Sequence, residues 1–167
     1  MKNYLSILII PTAVLITSAS CKKTVNEVDI LSVNCKIDGR VWTSYSDDFK
    51  LSAAGCRISK NGEQVFITAI NTKLSSDLAI LISTPGVKVI EGKYDLNSQS
   101  FLSGTYYLFN VGQFVTGNGY QGEVEIISID KIKSRITGKF HYSCYNEQAK
   151  KSVEITEGTF NIPYTVY

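Results

Sequence analysis

Polar and apolar residues alternate along most of the chain after residue 32, and this two-residue period predicts β-strands. The alternating runs are rich in Val, Ile, Thr, Tyr and Phe, and Gly, Asn, Asp or Ser ends most of them. No window of eleven or more residues carries a helical stripe. Ten strands are predicted, at residues 33–38, 40–45, 49–60, 64–71, 78–84, 92–96, 105–111, 121–130, 135–145 and 152–163.

The alternation also predicts which side chains face the core. The apolar face of the strand at 135–145 consists of Ile136, Gly138, Phe140, Tyr142 and Cys144. We expect the opposite face, with Lys139 and His141, to be exposed. The phase of the pattern changes near residues 54–55 and again near residues 157–158, so we predict a β-bulge or bend at both places.

Two dipeptides are typical of tight hairpin turns. Asn61-Gly62 lies between two strand patterns, and Asp38-Gly39 lies between two others. Both residues of a type I′ turn need positive φ, which Asn, Asp and Gly tolerate. Short strands joined by such turns predict an all-β fold: a single antiparallel β-sandwich, with a small closed β-barrel as the alternative. Trp42, the single tryptophan, is predicted to fill the core.

The first twenty residues have the features of an export signal. Lys2 precedes an apolar run from Leu5 to Ile16, which is too short to span a bilayer. The sequence Ser-Ala-Ser before Cys21 resembles a bacterial lipobox. We therefore expect a signal peptide at 1–20, lipidation of Cys21, a tether at 21–32 and an all-β domain at 33–167. Such a protein would be anchored by lipid to the outer membrane of the cell envelope, facing either the periplasm or the surface.

The net charge of the chain limits the classes of partner that this domain can bind, and its length limits the number of domains. Lys2 is the only charged residue of the first twenty, so the 17 basic residues of the full chain become 16, against 15 acidic residues. A near-neutral chain does not indicate nucleic-acid binding or an electrostatic membrane surface, because both require concentrated basic charge. Membrane association is expected through the lipid alone. After cleavage 147 of the 167 residues remain, which suits a single domain.

Three cysteines are left after Cys21, so one internal disulfide can form at most. We predict it between Cys35 and Cys56, because an oxidising envelope permits the bond. Three pairings are possible on the sequence alone. The alternative is that all three thiols are reduced and buried.

The order of motifs in the second half resembles a known family. These motifs are Gly92-Lys93-Tyr94-Asp95-Leu96, Thr105-Tyr106-Tyr107, Gly122-Glu123-Val124-Glu125-Ile126, Ile136-Thr137-Gly138-Lys139-Phe140 and Ile155-Thr156-Glu157-Gly158-Thr159-Phe160-Asn161. They are similar to those of small Bacteroidota lipoproteins that carry an uncharacterised β domain. The resemblance implies an envelope protein and brings no catalytic residues.

Several polar residues are of the types that catalysis or metal binding uses. His141 is the single histidine and is expected to be a solvated strand residue. Glu123 and Glu125 share a strand face at a spacing used by some glycosidases, but such a spacing arises on any strand with alternating acidic residues. Asp47 and Asp48 lack the looped pattern of a calcium site. We predict no catalytic residue, no metal and no cofactor.

The aromatic residues between 97 and 121 are the strongest sign of a binding function. Tyr106, Tyr107, Phe114 and Tyr120 lie among Gly, Asn and Gln residues. Aromatic faces beside amide groups suit sugar rings or the apolar patch of a protein partner. The sequence thus favours a non-enzymatic module that binds a glycan or an envelope protein. The alternatives are a structural accessory lipoprotein without a small ligand and an enzyme inhibitor.

Overall fold

The structure is a computed structural model that describes residues 31–48, 51–97 and 101–167. The described chain is built from strands and contains no helix. The eleven strands are β1 (Ser32–Ile37), β2 (Arg40–Thr43), β3 (Ala54–Ile58), β4 (Gln64–Asn71), β5 (Ser76–Ser83), β6 (Gly92–Leu96), β7 (Ser103–Leu108), β8 (Gly112–Val115), β9 (Gly122–Asp130), β10 (Arg135–Asn146) and β11 (Lys151–Val166). The predicted all-β class is confirmed, and β8 is a strand that the pattern did not predict.

All eleven strands belong to one mixed sheet. Their order is β2-β1-β11-β3-β4-β5-β7-β8-β10-β9-β6, and β10 also pairs with β11. The β3–β11 pair is parallel, whereas every other pair of named strands in the described chain is antiparallel. Seven strands therefore form a closed circuit of pairings, although β8 meets β10 through the single pair Val115 and Tyr145.

Side chains connect strands that are far apart in the sheet order. Trp42 in β2 donates a hydrogen bond from Nε1 to Ser76 Oγ in β5 at 2.9 Å. Tyr142 in β10 donates from its hydroxyl to the carbonyl of Thr105 in β7 at 2.7 Å. The two halves of the sheet thus face each other across the core. The predicted antiparallel sandwich is corrected in two respects, because its two halves belong to one continuous sheet and because the β3–β11 pair is parallel.

Alternation places the core as the sequence predicted. The even-numbered residues of β10 from Ile136 to Asn146 are all buried, and Lys139 and His141 on the other face are exposed. Trp42 is buried as expected, with 2% of its surface exposed. Every buried hydrophobic residue of the described chain lies between Val33 and Ile162, so residues 31–167 contain the whole of this core. We therefore expect residues 31–167 to fold when they are produced without the preceding segment.

Both predicted hairpins form, with one difference in turn geometry. Asp38 and Gly39 have φ of 48° and 76°, as a type I′ turn between β1 and β2 requires. At the other hairpin Gly62 has φ of 77°, but Asn61 is not among the described residues with positive φ. Asn61 instead accepts hydrogen bonds at its side-chain oxygen from Ser59 Oγ and the Glu63 amide. The longer loop replaces the predicted two-residue turn.

One of the two predicted bulges is present. The pairing of β11 with β10 shifts between Ile155 and Gly158, and the buried positions change from odd to even there. Glu157 in this bulge has φ of 51°. The bulge predicted near residues 54–55 is wrong, because β3 begins at Ala54 and pairs with β4 without a register shift. Leu51 and Ala53 precede β3 and lie outside it, and the start of the predicted strand, at residues 49–50, lies outside the described residues.

The predicted disulfide is not formed. Cys35, Cys56 and Cys144, which we call the core thiols, are three separate buried thiols. Cys35 lies beside the β11 bulge, whereas Cys56 pairs with Tyr164 further along β11, a separation of roughly 20 Å along the strand. A disulfide requires Cα atoms within about 7 Å of each other. Burial raises the pKa of each of the three thiols to about 12.

The predicted signal peptide, Cys21 and most of the predicted tether lie outside the described residues. Within the described part of the chain, no helix is long and apolar enough to cross a membrane.

Candidate functional site

An open cleft of about 440 Å³ lies where β8, the end of β10 and two turns meet. Its lining residues are mostly amides and small polar groups together with one aromatic ring: Gln113, Val115, Thr116, Gly117, Asn118, Tyr145, Asn146, Glu147 and Gln148. Val115 and Tyr145 form the single residue pair that joins β8 to β10. The cleft therefore sits at the seam where the two halves of the sheet connect.

A pair of stacked tyrosines borders this cleft. The rings of Tyr120 and Tyr145 are 5.0 Å apart at their centroids and inclined by 9°. Tyr120 is held by a tight turn in which its amide and carbonyl both bond to Gly117. Asn118 and Gly119 at the centre of that turn have φ of 53° and 92°, the geometry of a type I′ turn. Because this turn is rigid, it keeps Tyr120 against Tyr145.

Asn146 joins the two walls of the cleft. Its Nδ2 donates to the carbonyl of Gln113 at 2.9 Å and to that of Val111 at 3.4 Å. Its Oδ1 accepts from the Ala149 amide at 2.7 Å. Asn146 is 4% exposed, so this side chain is a buried connection between β8 and the turn that joins β10 to β11. A side chain at Gly112 would approach Nδ2 within 3.1 Å.

The cleft carries little net charge. Glu147 is its only acidic lining residue, and it forms an ion pair with Lys150 at 2.7 Å. The hydrogen bond from that pair raises the pKa of Lys150. The other polar lining groups are neutral amides and hydroxyls, which both donate and accept hydrogen bonds. The arrangement suits a neutral, hydroxyl-rich ligand better than an ion.

Comparison with known proteins places this sheet in a family. Residues 32–163 match a family described as a domain of unknown function, DUF6252. The chain belongs to the DUF6252 family. No curated protein and no solved structure matches it. The matched range covers all eleven strands except the last residues of β11, so the DUF6252 domain and the folded sheet coincide.

The structure separates the four aromatic residues that the sequence of this DUF6252 domain suggested for binding. Tyr106 and Phe114 belong to the core, with 7% and 2% of their surface exposed and ring centroids 5.9 Å apart. Because the alternation of β7 and β8 turns both rings inward, neither Tyr106 nor Phe114 lies at the surface where the predicted binding would take place. Tyr107 is 39% exposed, on the outer face of β7. Tyr120 stacks on Tyr145, which lines the cleft.

The acidic residues of the DUF6252 domain lie elsewhere. Glu123 and Glu125 face outward on β9, opposite His141 and Lys139. Glu123 forms an ion pair with Lys93 at 2.9 Å, which raises the pKa of that lysine. In the described residues no cluster of three or more His, Cys, Asp or Glu side chains could hold a metal ion.

The sequence carried two signals for the cleft that were missed. Tyr145 falls on the polar, outward face of the predicted strand at 135–145, so the alternation already indicated an exposed aromatic ring there. Asn118-Gly119 is the dipeptide typical of a type I′ turn, and its position next to Tyr120 indicated a rigid loop. Asn146 ends β10 and Gln148 lies in the turn after it, and only the pairing of β8 with β10 brings both residues to the cleft.

Proposed function

We propose that this DUF6252 protein is a lipid-anchored protein of the cell envelope whose cleft binds carbohydrate without catalysis. The observation that carries the proposal is the stacked pair of Tyr120 and Tyr145 beside a cleft lined by amide side chains. The rings of these two tyrosines can cover the apolar faces of a sugar ring. The amides of Gln113, Asn118 and Gln148 can exchange hydrogen bonds with hydroxyl groups.

The charge of the cleft favours neutral sugars over acidic ones. Its single carboxylate is already paired with Lys150, and the lining contains no basic residue. An anionic ligand would therefore find no cation in the lining to replace its water shell. The volume of about 440 Å³ lies within the range of small-ligand sites.

A binding role is favoured over catalysis because the cleft lining lacks a pair of carboxyl groups. Glycoside hydrolysis usually requires two carboxyl groups on opposite sides of the bond. Glu147 stands alone in this lining, and Glu123 and Glu125 are on the outward face of β9. A binding module is also compatible with a fixed site built on paired strands and tight turns.

The envelope location rests on the sequence of the segment before the domain. An apolar run that is too short to span a bilayer is followed by Ser-Ala-Ser and Cys21, as in bacterial lipoproteins. Lipid chains on Cys21 would hold the domain at the membrane, since each buried methylene contributes about 0.8 kcal/mol. We also assign the chain, on its motifs, to small lipoproteins of Bacteroidota.

A glycan array probed with residues 31–167 tests the binding proposal. We expect retention of neutral oligosaccharides, and a loss of about tenfold in affinity for Tyr145→Ala, because stacking and ring burial together contribute about 1.5 kcal/mol. Tyr45→Ala is the control, since Tyr45 is an exposed tyrosine that lies outside the cleft. Failure of every glycan to bind, or equal affinity of Tyr145→Ala and the parent, would contradict the proposal.

Recovery of one envelope protein by crosslinking, with no glycan bound, would favour a protein partner.

Mass spectrometry of the protein from its native membrane tests the anchor separately. A mature chain that begins at an acylated Cys21 is expected. A chain that starts elsewhere with a free thiol at Cys21 would contradict it.

A further inference from the structure

A second and larger groove lies at the end of the sheet opposite the cleft. It has a volume of about 690 Å³ and is formed by the β3–β4 loop, the segment before β6, the β9–β10 turn and the last residues of β11. β10 begins at this groove, where Ser134 lines it, and ends at the cleft, where Asn146 lines that site. β10 has twelve residues, so the two sites are roughly 35 Å apart along the strand.

The floor of the groove is apolar and its rim is basic. Ile58, Val89, Ile129 and Tyr164 contribute apolar surface. The charged residues of the lining are Lys60, Lys88, Lys131 and Glu91. Glu91 accepts a hydrogen bond from the Ile129 amide at 3.2 Å. The three lysines, which we call the rim lysines, are exposed and make no ion pair with the residues that the structure describes.

Exposed apolar side chains surround the same groove. Ile132, at the tip of the β9–β10 turn, is 98% exposed between Lys131 and Lys133. Asp130 holds this turn by accepting hydrogen bonds from the amides of residues 132 and 133, both at 2.9 Å. Ile90 is 66% exposed beside Lys88 and Glu91. An isoleucine at a loop tip between lysines suits an interface of lipid tails and anionic headgroups.

The direction of the chain supports the same orientation. β1 is antiparallel to β11, with Ser32 opposite Asn161. The N-terminal end of β1 therefore points toward the last part of β11, where Tyr164 and Val166 line the groove. This step alone rests on the proposed anchor at Cys21: ten residues separate it from Ser32, which can span up to about 35 Å.

We infer that this end of the domain docks on an anionic phospholipid membrane, with the rim lysines at the headgroups and Ile132 inserted below them. The net charge of the chain is close to neutral and does not indicate this basic surface, because its lysines come from separate parts of the sequence and meet only in the fold. The cleft then points away from the membrane, toward ligands in the surrounding space. The basic rim and apolar floor are the two properties that a bilayer surface complements.

Vesicle flotation with unlipidated residues 31–167 tests the inference. Binding is expected to vesicles that contain phosphatidylglycerol, to weaken with added salt, and to be much lower on phosphatidylcholine alone. Replacement of the rim lysines by glutamine should lower the partition coefficient by about fivefold for each lysine, or about a hundredfold in all. The matched control replaces Lys73, Lys139 and Lys151, which are exposed on other surfaces, and should bind anionic vesicles about a hundredfold more tightly than the rim variant.

A second pair of variants tests the apolar contact. Ile132→Ser should lower vesicle binding at least about tenfold, whereas Val41→Ser, at another exposed apolar site, should not. Neither side chain supports the core, so unchanged unfolding midpoints are expected for both. Equal binding of the rim and control variants, or dimerisation through Ile132 in sedimentation runs without lipid, would overturn the inference. Tyr145→Ala should leave vesicle binding unchanged, which separates a failure of this inference from a failure of the glycan proposal.

Discussion

Asn146 offers the sharpest test of how the cleft is held together. Asn146→Ala removes the bonds to the Gln113 carbonyl at 2.9 Å and from the Ala149 amide at 2.7 Å, and the weaker contact with Val111 at 3.4 Å. Each good bond contributes about 1 kcal/mol net, and a buried group left unpaired costs about 1–3 kcal/mol. Because these bonds are partly buried, water can replace part of the loss. We expect the free energy of unfolding to fall by about 3 kcal/mol.

Urea unfolding followed by the fluorescence of Trp42 measures this loss, because Trp42 is the single tryptophan and is buried. The midpoint should fall while the slope stays unchanged, since the surface exposed on unfolding is the same. Gln148→Ala, an exposed residue of the same turn, is the control and should change stability by less than about 0.5 kcal/mol. If Asn146→Ala and Gln148→Ala prove equally stable, the connecting role of Asn146 is refuted.

The variant Asn146→Asp gives the same argument a pH signature. Its carboxyl would face the carbonyl oxygens of Val111 and Gln113, so the charged form is disfavoured and its pKa in the folded state is raised above the unfolded value of about 3.9. The folded state then binds more protons above that value. Stability relative to the parent should be greatest below about pH 4 and should fall as pH rises through the folded pKa. A difference that does not vary with pH would contradict the placement of this side chain.

Three further predictions follow from the burial of other groups. Phe114→Ala leaves a cavity in the core and should lower the free energy of unfolding by about 3–5 kcal/mol, whereas Tyr107→Ala should lower it by less than about 1 kcal/mol. Similar urea midpoints for the two variants would contradict the core assignment of Phe114. The core thiols, with pKa values of about 12, should resist a thiol reagent in native protein at neutral pH and react fully in urea, so rapid native labelling would contradict their burial. Gly138→Ala places a methyl group 2.2 Å from the Glu125 carbonyl and from the Phe160 ring, so a large loss of stability or of soluble yield is expected, and a stable variant would refute that packing.

Local patterns predicted most of the individual strands because alternation is a property of neighbouring residues. β4 and β6 have the predicted bounds, and the apolar face of β10 is the predicted one. β8 was missed because its four residues are too few to show a period, and because a turn at residues 109–111 falls where the polar and apolar alternation continued. The Glu157 bulge was predicted because a phase change remains visible inside a long strand.

Long-range pairing could not be predicted in the same way. The parallel contact of β11 with β3 joins residues more than a hundred positions apart, and no local pattern encodes it. The same contact separates Cys35 from Cys56, so the disulfide expected from their positions in the sequence does not form. The cleft likewise depends on one contact between Val115 and Tyr145. Its residue types were visible in the sequence, but their assembly was not.

The long hairpin of β10 and β11 keeps the two proposed binding surfaces of the domain apart. Its turn at residues 147–150 borders the cleft, while the opposite ends of the two strands contribute Ser134 and Tyr164 to the groove. The two strands pair along almost the whole of β10, with a single shift near Glu157. A ligand that contacts one end of the hairpin should not displace the other end, because the residues between are held by hydrogen bonds and by core packing on one face. The β10–β11 hairpin therefore keeps the cleft about 35 Å from the groove that carries the rim lysines.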